Sequence, residues 1–208
     1  TLLTNCLPVA APFLEDFDGT AWTPGVAGNN ANNAIDGCWR RDPGSAVTGT
    51  NVFSWGTRQG ATGSANTGPA SDHTSGSGNY LYTEASGSPA GSEAELITVP
   101  VDCSPLTTPE LRFWYHMAGA SMGSLEVFVD NGNGYTSVFS ISGAQQTAVN
   151  DPWTEAIVSL AAYAGDTLGV RFEGTRGGGF TSDIAIDDVS VDEAPSCPQP
   201  TFLLVDQV

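Results

Sequence analysis

The sequence predicts an all-β fold, an antiparallel sandwich or jelly roll. Three observations predict it. Gly (25) and Pro (13) are abundant and charged residues make up only 14%, which suits short strands joined by many turns rather than long helices. Apolar and polar residues alternate at strand period through the second half of the chain. No helical period is sustained anywhere.

Residues 1–22 hold a short apolar stretch ending in Phe13-Leu14-Glu15-Asp16-Phe17-Asp18-Gly19. Residues 23–78 are rich in Gly, Asn, Ser and Thr and read as loops around one or two short strands. The islands Trp39, Phe53 and Trp55 need burial, so the stretch is not low-complexity disorder. Strands then follow at regular spacing. In 79–85, Tyr80, Tyr82 and Glu84 share a face. A strand over 95–101 comes next. In 110–118, Leu111, Phe113, Tyr115 and Met117 share one face and Arg112, Trp114 and His116 the other. Residues 124–130 alternate Leu125, Val127 and Val129, and Asn131-Gly132 signals a hairpin back into 135–142. Strands over 153–160, 167–173 and 183–192 complete the set. In the last, Ile184 and Ile186 occupy even positions and Val189 and Val191 odd ones. That flip at Asp187-Asp188 means a bulge, or burial on both faces.

The predicted domain covers 1–193. From Ala194 the Pro-rich run Pro195-Ser196-Cys197-Pro198-Gln199-Pro200 reads as a linker, and 202–208 resembles the opening of a fibronectin type III domain. The module is then one bead of a longer chain.

Six Lys+Arg face 23 Asp+Glu, a net charge of −17. Nucleic acid and anionic membranes are poor partners for such a surface. No apolar run is long enough to span a bilayer. Cys6, Cys38, Cys103 and Cys197 form no CxxC pair, which argues against zinc and thiol redox chemistry. Two disulfides in an oxidising compartment follow, with three pairings open. The start at Thr1 reads as the mature part of an exported protein.

Several segments together resemble the MAM domain. They are Asp72-His73-Thr74 with Gly76, Gly78 and Tyr80-Leu81-Tyr82; Leu111-Arg112-Phe113-Trp114-Tyr115-His116-Met117 with Gly119; Trp153 with Val170-Arg171-Phe172-Glu173-Gly174; and Asp183-Ile184-Ala185-Ile186-Asp187-Asp188-Val189. Asp16-Phe17-Asp18 looks like the family's opening Asp-Phe-Glu. The resemblance implies a jelly roll of two antiparallel sheets. It also implies a non-catalytic module for adhesion and recognition, outside the cell or on its surface. The pairing it implies is Cys6–Cys38 and Cys103–Cys197. The Gly- and Ser-rich style looks bacterial.

No enzyme is expected. Asp72-His73-Thr74 lacks an accompanying nucleophile motif, and no Glu-x-Asp-x-x-Glu run supplies a glycosidase carboxylate pair. The expected partner is a protein or glycan at a cell surface or in the extracellular matrix, besides neighbouring domains of the same chain. The alternative is a carbohydrate-binding module that targets an exported hydrolase to a polysaccharide, with Trp114, Trp153 and His116 lining a sugar face. Trp and Tyr in a β-sandwich are more often core. One cofactor is expected: a structural Ca²⁺. Asp18 and Asp187 are its core pair and Asp72 and Asp188 its further ligands. Unscreened, such acids repel when packed together, and calcium takes 6–8 oxygens from carboxylates, carbonyls and water.

Overall fold

β-branched and aromatic residues alternating with polar ones bury one face of each strand and leave the other to water. A computed structural model describes residues 6–25, 35–43 and 52–196. Among them the strands are β1 (Val9–Ala10), β2 (Phe13–Glu15), β3 (Arg40–Asp42), β4 (Trp55–Gln59), β5 (Asn79–Thr83), β6 (Glu93–Ile97) and β7 (Val101–Asp102). They continue as β8 (Pro109–His116), β9 (Ser124–Asp130), β10 (Thr136–Ser142), β11 (Thr154–Ser159), β12 (Thr167–Thr175) and β13 (Ala185–Glu193). A 3-10 turn spans Ala161–Tyr163.

Seven strands form one sheet in the order β1-β7-β12-β6-β3, with β9 on β12 and β10 on β9. Six form the other in the order β11-β8-β13-β5-β4, with β2 on β13. The predicted all-β sandwich is therefore present. The core lies between the sheets. Leu111, Phe113 and Met117 of the β8 segment are fully buried there, as are Leu125 and Val127 of β9 and Phe172 of β12. Phe113 and Phe172 meet edge to face across the two sheets at 5.1 Å, a geometry worth about 0.5–1.5 kcal/mol beyond area burial.

Three details differ from, or sharpen, the sequence reading. The strand expected over 95–101 is two, β6 and β7, because Pro100 has no N–H to continue the ladder. β7 pairs in parallel with β1, through Val9 opposite Val101, so the sheets are antiparallel except there. The phase flip is a bulge: the β13–β8 register shifts between Asp187 and Ser190, and Asp188 takes a positive φ of 47°.

One outer face is not open to water along its whole length. Tyr80, Tyr82 and Ala185 form a second buried cluster on the six-stranded sheet, with Trp153 packed on it. The Tyr80 hydroxyl donates to Gly60 O at 2.6 Å, and Trp153 Nε1 donates to Ser71 O at 3.2 Å. The Gly-rich loops thus cover this end of the sheet. They also bury His116, which alternation alone would leave on the surface.

Cys6 and Cys38 are bonded, with Cα atoms 5.6 Å apart and a sequence separation of 32. Cys103 is buried with a free thiol. Its expected partner, Cys197, lies outside the described residues, as does the expected fibronectin-like start.

Candidate functional site

The four acids expected to hold a cation surround one segment, Asp72 to Asn79. Its composition, Asp-His-Thr-Ser-Gly-Ser-Gly-Asn, cannot build a strand, so its backbone N–H groups need other acceptors. Asp187 Oδ2 accepts from His73 N at 2.8 Å. Asp188 Oδ2 contacts His73 Nδ1 and accepts from Thr74 Oγ1, both at 2.6 Å. Asp72 Oδ2 accepts from Ser75 N and Ser75 Oγ, and its Oδ1 from Gly78 N at 2.9 Å. Asp18 Oδ1 accepts from Asn79 N at 2.6 Å. A Cβ on Gly78 would lie only 2.6 Å from Asp18 Oδ1, so no larger residue fits beneath that carboxylate. The bulge at Asp187-Asp188 is what aims two consecutive carboxylates at one loop.

These contacts tie the end of the first strands to the last strand, the task expected of a cation. The loop's own donors perform it. The bonds to ionised carboxylates such as Asp72 are charge-assisted and stronger than neutral ones. Among the described residues no three His, Cys, Asp or Glu side chains group as a metal cage.

The electrostatics follow the geometry. Burial works to raise the Asp72 carboxyl, but the donors of Ser75, Gly78 and Gly76 outweigh it and hold it below its ordinary value. Asp187 is 2% exposed. Burial and the charges of Asp188 and Asp72 push its carboxyl up to about 8, against the bonds from His73 and Asp188 N–H.

A second acid pair was not legible in the sequence. Asp183 is fully buried and Glu84 is 4% exposed. Asp183 Oδ1 accepts from Ala85 N at 2.9 Å, but its Oδ2 is buried with no hydrogen-bond partner. Burial, then the Glu84 charge, push the Asp183 carboxyl up to about 8. Glu84 Oε1 accepts from Ser86 N. Buried carboxylates and an orphaned oxygen are donors of the kind an oxygen-liking cation takes. The signal was present in Glu84 ending the Tyr80–Tyr82 face, but its partner lies 99 positions on.

The tempting Asp-His-Thr motif is not wired for nucleophilic catalysis. A triad needs the imidazole between carboxylate and hydroxyl, one on each ring nitrogen. Here Thr74 Oγ1 and Asp188 Oδ2 both contact Nδ1, and Thr74 donates directly to Asp188.

Beside the loop lies a cleft of about 500 Å³, lined by Asp72, His73, Trp114, Asn150, Asp151 and Trp153 among others. The His73 ring stacks on Trp114 with centroids 3.8 Å apart and meets Trp153 edge-on at 6.4 Å. The structure brings Trp114 and Trp153 together as the sugar-face reading expected, but His116 sits beneath Trp153 with no exposure. Burial pushes the His116 imidazole down to about 4.

A family model described as MAM domain, meprin/A5/mu, matches residues 45–198. MAM domain-containing protein 2 of Mus musculus is 36% identical over 145 residues, covering 70% of this chain and 20% of that protein. Neuropilin-1a of Danio rerio is 30% identical over 164 residues, covering 76% of this chain and 17% of that protein. The chain thus spans about a fifth of the length of these curated relatives. They lend no support to a bacterial style or to a following fibronectin-like domain. Among solved structures, the K1 cleaved adhesin domain of Lys-gingipain from Porphyromonas gingivalis aligns with a TM-score of 0.57 at 17% identity. That alignment covers 89% of this chain and 99% of the other. An apo cyclase from Fischerella sp. aligns with a TM-score of 0.57 at 14% identity, covering 92% of this chain and 98% of the other. Such distant likenesses establish the shared fold alone. The family match runs through the Asp-His-Thr loop, the β8 strand and the Asp183–Val189 segment, and this chain belongs to the MAM domain family.

Proposed function

We propose that this chain is a non-catalytic recognition module of an extracellular or cell-surface protein. The observation that carries the reading is the MAM match over 45–198, reinforced by the wiring of His73, Thr74 and Asp188 as a loop clamp. The bonded Cys6–Cys38 pair supports an oxidising compartment. Among the described residues no helix is long and apolar enough to cross a membrane. The carbohydrate-binding alternative is not favoured by the family or by the curated relatives.

The test is a multivalent display of the module against a panel of extracellular protein ectodomains, with a glycan array alongside. Saturable binding to a protein is expected. Binding to glycans alone, or turnover of a peptide, ester or glycoside, contradicts the reading.

The same reading includes a structural cation, Ca²⁺ by its hard oxygen donors, held by Glu84 and Asp183. When bound it neutralises the buried pair and completes the Asp183 Oδ2 that is otherwise without a partner. Glu84 follows β5 and Asp183 precedes β13, so neutralising them joins two neighbouring strands of the six-stranded sheet.

A further inference from the structure

We propose that the cleft between the 72–79 loop and the Asn150–Trp153 turn seats an arginine or lysine side chain presented by a protein partner. The inference rests on the recognition reading above and names the chemistry of that partner. Three observations carry it. The cleft, at about 500 Å³, is roomy enough for one long side chain with its hydration. Its walls include the indoles of Trp114, one face of which the His73 ring covers, and of Trp153, and the open faces of such rings attract cations. Its lining carries the carboxylates of Asp72 and Asp151 and no Lys or Arg.

The Asp151 charge is available. Asp151 Oδ2 accepts from Thr147 N, Thr147 Oγ1 and Ala148 N. Those donors, with burial opposing, hold its carboxyl below the ordinary range. Among the described residues none of its hydrogen bonds uses Oδ1. The His73 imidazole, which would compete only when protonated, is already in contact with Asp188. The whole chain carries −17, which draws basic partners from a distance and lowers the chance of an acidic one. A sugar would use the same indoles but gains nothing from the carboxylate charge, so charge is the property that separates the two occupants.

The experiment follows the indole N–H signals of Trp114 and Trp153 by two-dimensional NMR while N-acetyl-arginine methylamide is added. The citrulline counterpart, of the same shape without the charge, is added in a parallel series, and galactose and glucose oligosaccharides in a third. Both indoles are expected to shift saturably with the arginine compound, and at least about tenfold more weakly with citrulline. Asp151→Asn keeps an acceptor for Thr147 and Ala148, so it is expected to fold with the other signals in place. It should weaken arginine binding by about threefold or more. Equal response to citrulline, response to sugars alone, or unmoved indoles overturns the proposal. If the displayed module captures a protein ectodomain while arginine leaves both indoles unmoved, recognition stands and the cleft assignment falls.

Discussion

Asp187 Oδ2 accepts the backbone N–H of His73 at 2.8 Å, across 114 residues of chain. That bond fastens a Gly- and Ser-rich loop to the last strand and shapes one wall of the cleft. Its removal has a graded expected cost. Asp187→Ala leaves the His73 and Asp188 donors without an acceptor and is expected to destabilise by about 1–3 kcal/mol. Asp187→Asn keeps one carbonyl acceptor, for one of those two donors, in place of a carboxyl that burial holds protonated up to about 8. At neutral pH it is expected to cost less than about 1 kcal/mol. Urea denaturation of both variants measures this, and equal losses would contradict it.

The pH dependence has a definite sign. Asp187 is raised from 3.8 to about 8 in the folded chain, so the folded state holds that proton longer. Its contribution is full below 3.8 and is lost as pH rises through about 8. His116 runs the other way. Its imidazole is lowered from 6.5 to about 4, so its contribution is present above 6.5 and lost as pH falls. Between 6.5 and 8 the buried acids govern, Asp187 together with Asp183. With chelator present, unfolding free energy is expected to fall across that window, and to fall less in Asp187→Asn. A rise across it would refute the assignment.

Much of the fold was readable from alternation. Leu111, Phe113 and Met117 fell on the core face as their spacing required, and the Asp187-Asp188 flip proved to be a bulge. Other features depend on partners far away in sequence and leave no local period. His116 is buried because Trp153 covers it. Asp18, Asp72, Asp187 and Asp188 do gather, but around N–H donors that a residue pattern does not display. Glu84 and Asp183 were unreadable as a pair for the same reason.

The cation at Glu84 and Asp183 is testable by melting. Chelator is expected to lower the melting temperature and added Ca²⁺ to restore it, by mass action on the folded state. Asp183→Asn is expected to remove the response. A melting curve indifferent to chelator, or an unchanged response in the variant, sinks the site.

The Cys6–Cys38 bridge closes a loop with a separation of 32 residues. Replacing both cysteines by serine is expected to cost about 2–4 kcal/mol, read from denaturation under non-reducing conditions. No loss would show that the bridge constrains nothing.

On the seven-stranded sheet, Asp42, Glu95, Glu173 and Glu126 lie directly opposite one another on β3, β6, β12 and β9. Like charges in register are unfavourable. Arg171 offsets part of the repulsion through Glu95 and Glu173, while Glu126 is bonded to Ser137 Oγ. Glu126→Gln keeps that acceptor and is expected to stabilise by a few tenths to about 1 kcal/mol, with the gain shrinking as salt is added. A loss of stability at low salt would contradict the repulsion.

The clamp around the 72–79 loop is the feature on which the cleft, the pH dependence and the reading of the Asp-His-Thr motif all depend. Amide hydrogen exchange at His73, Ser75, Gly78 and Asn79 measures it directly. These four amides lie outside or at the margin of any strand, yet they are expected to exchange slowly, and those of His73 and Ser75 to speed up in Asp187→Ala. Fast exchange at all four in the unaltered chain would show that the acids do not hold the loop.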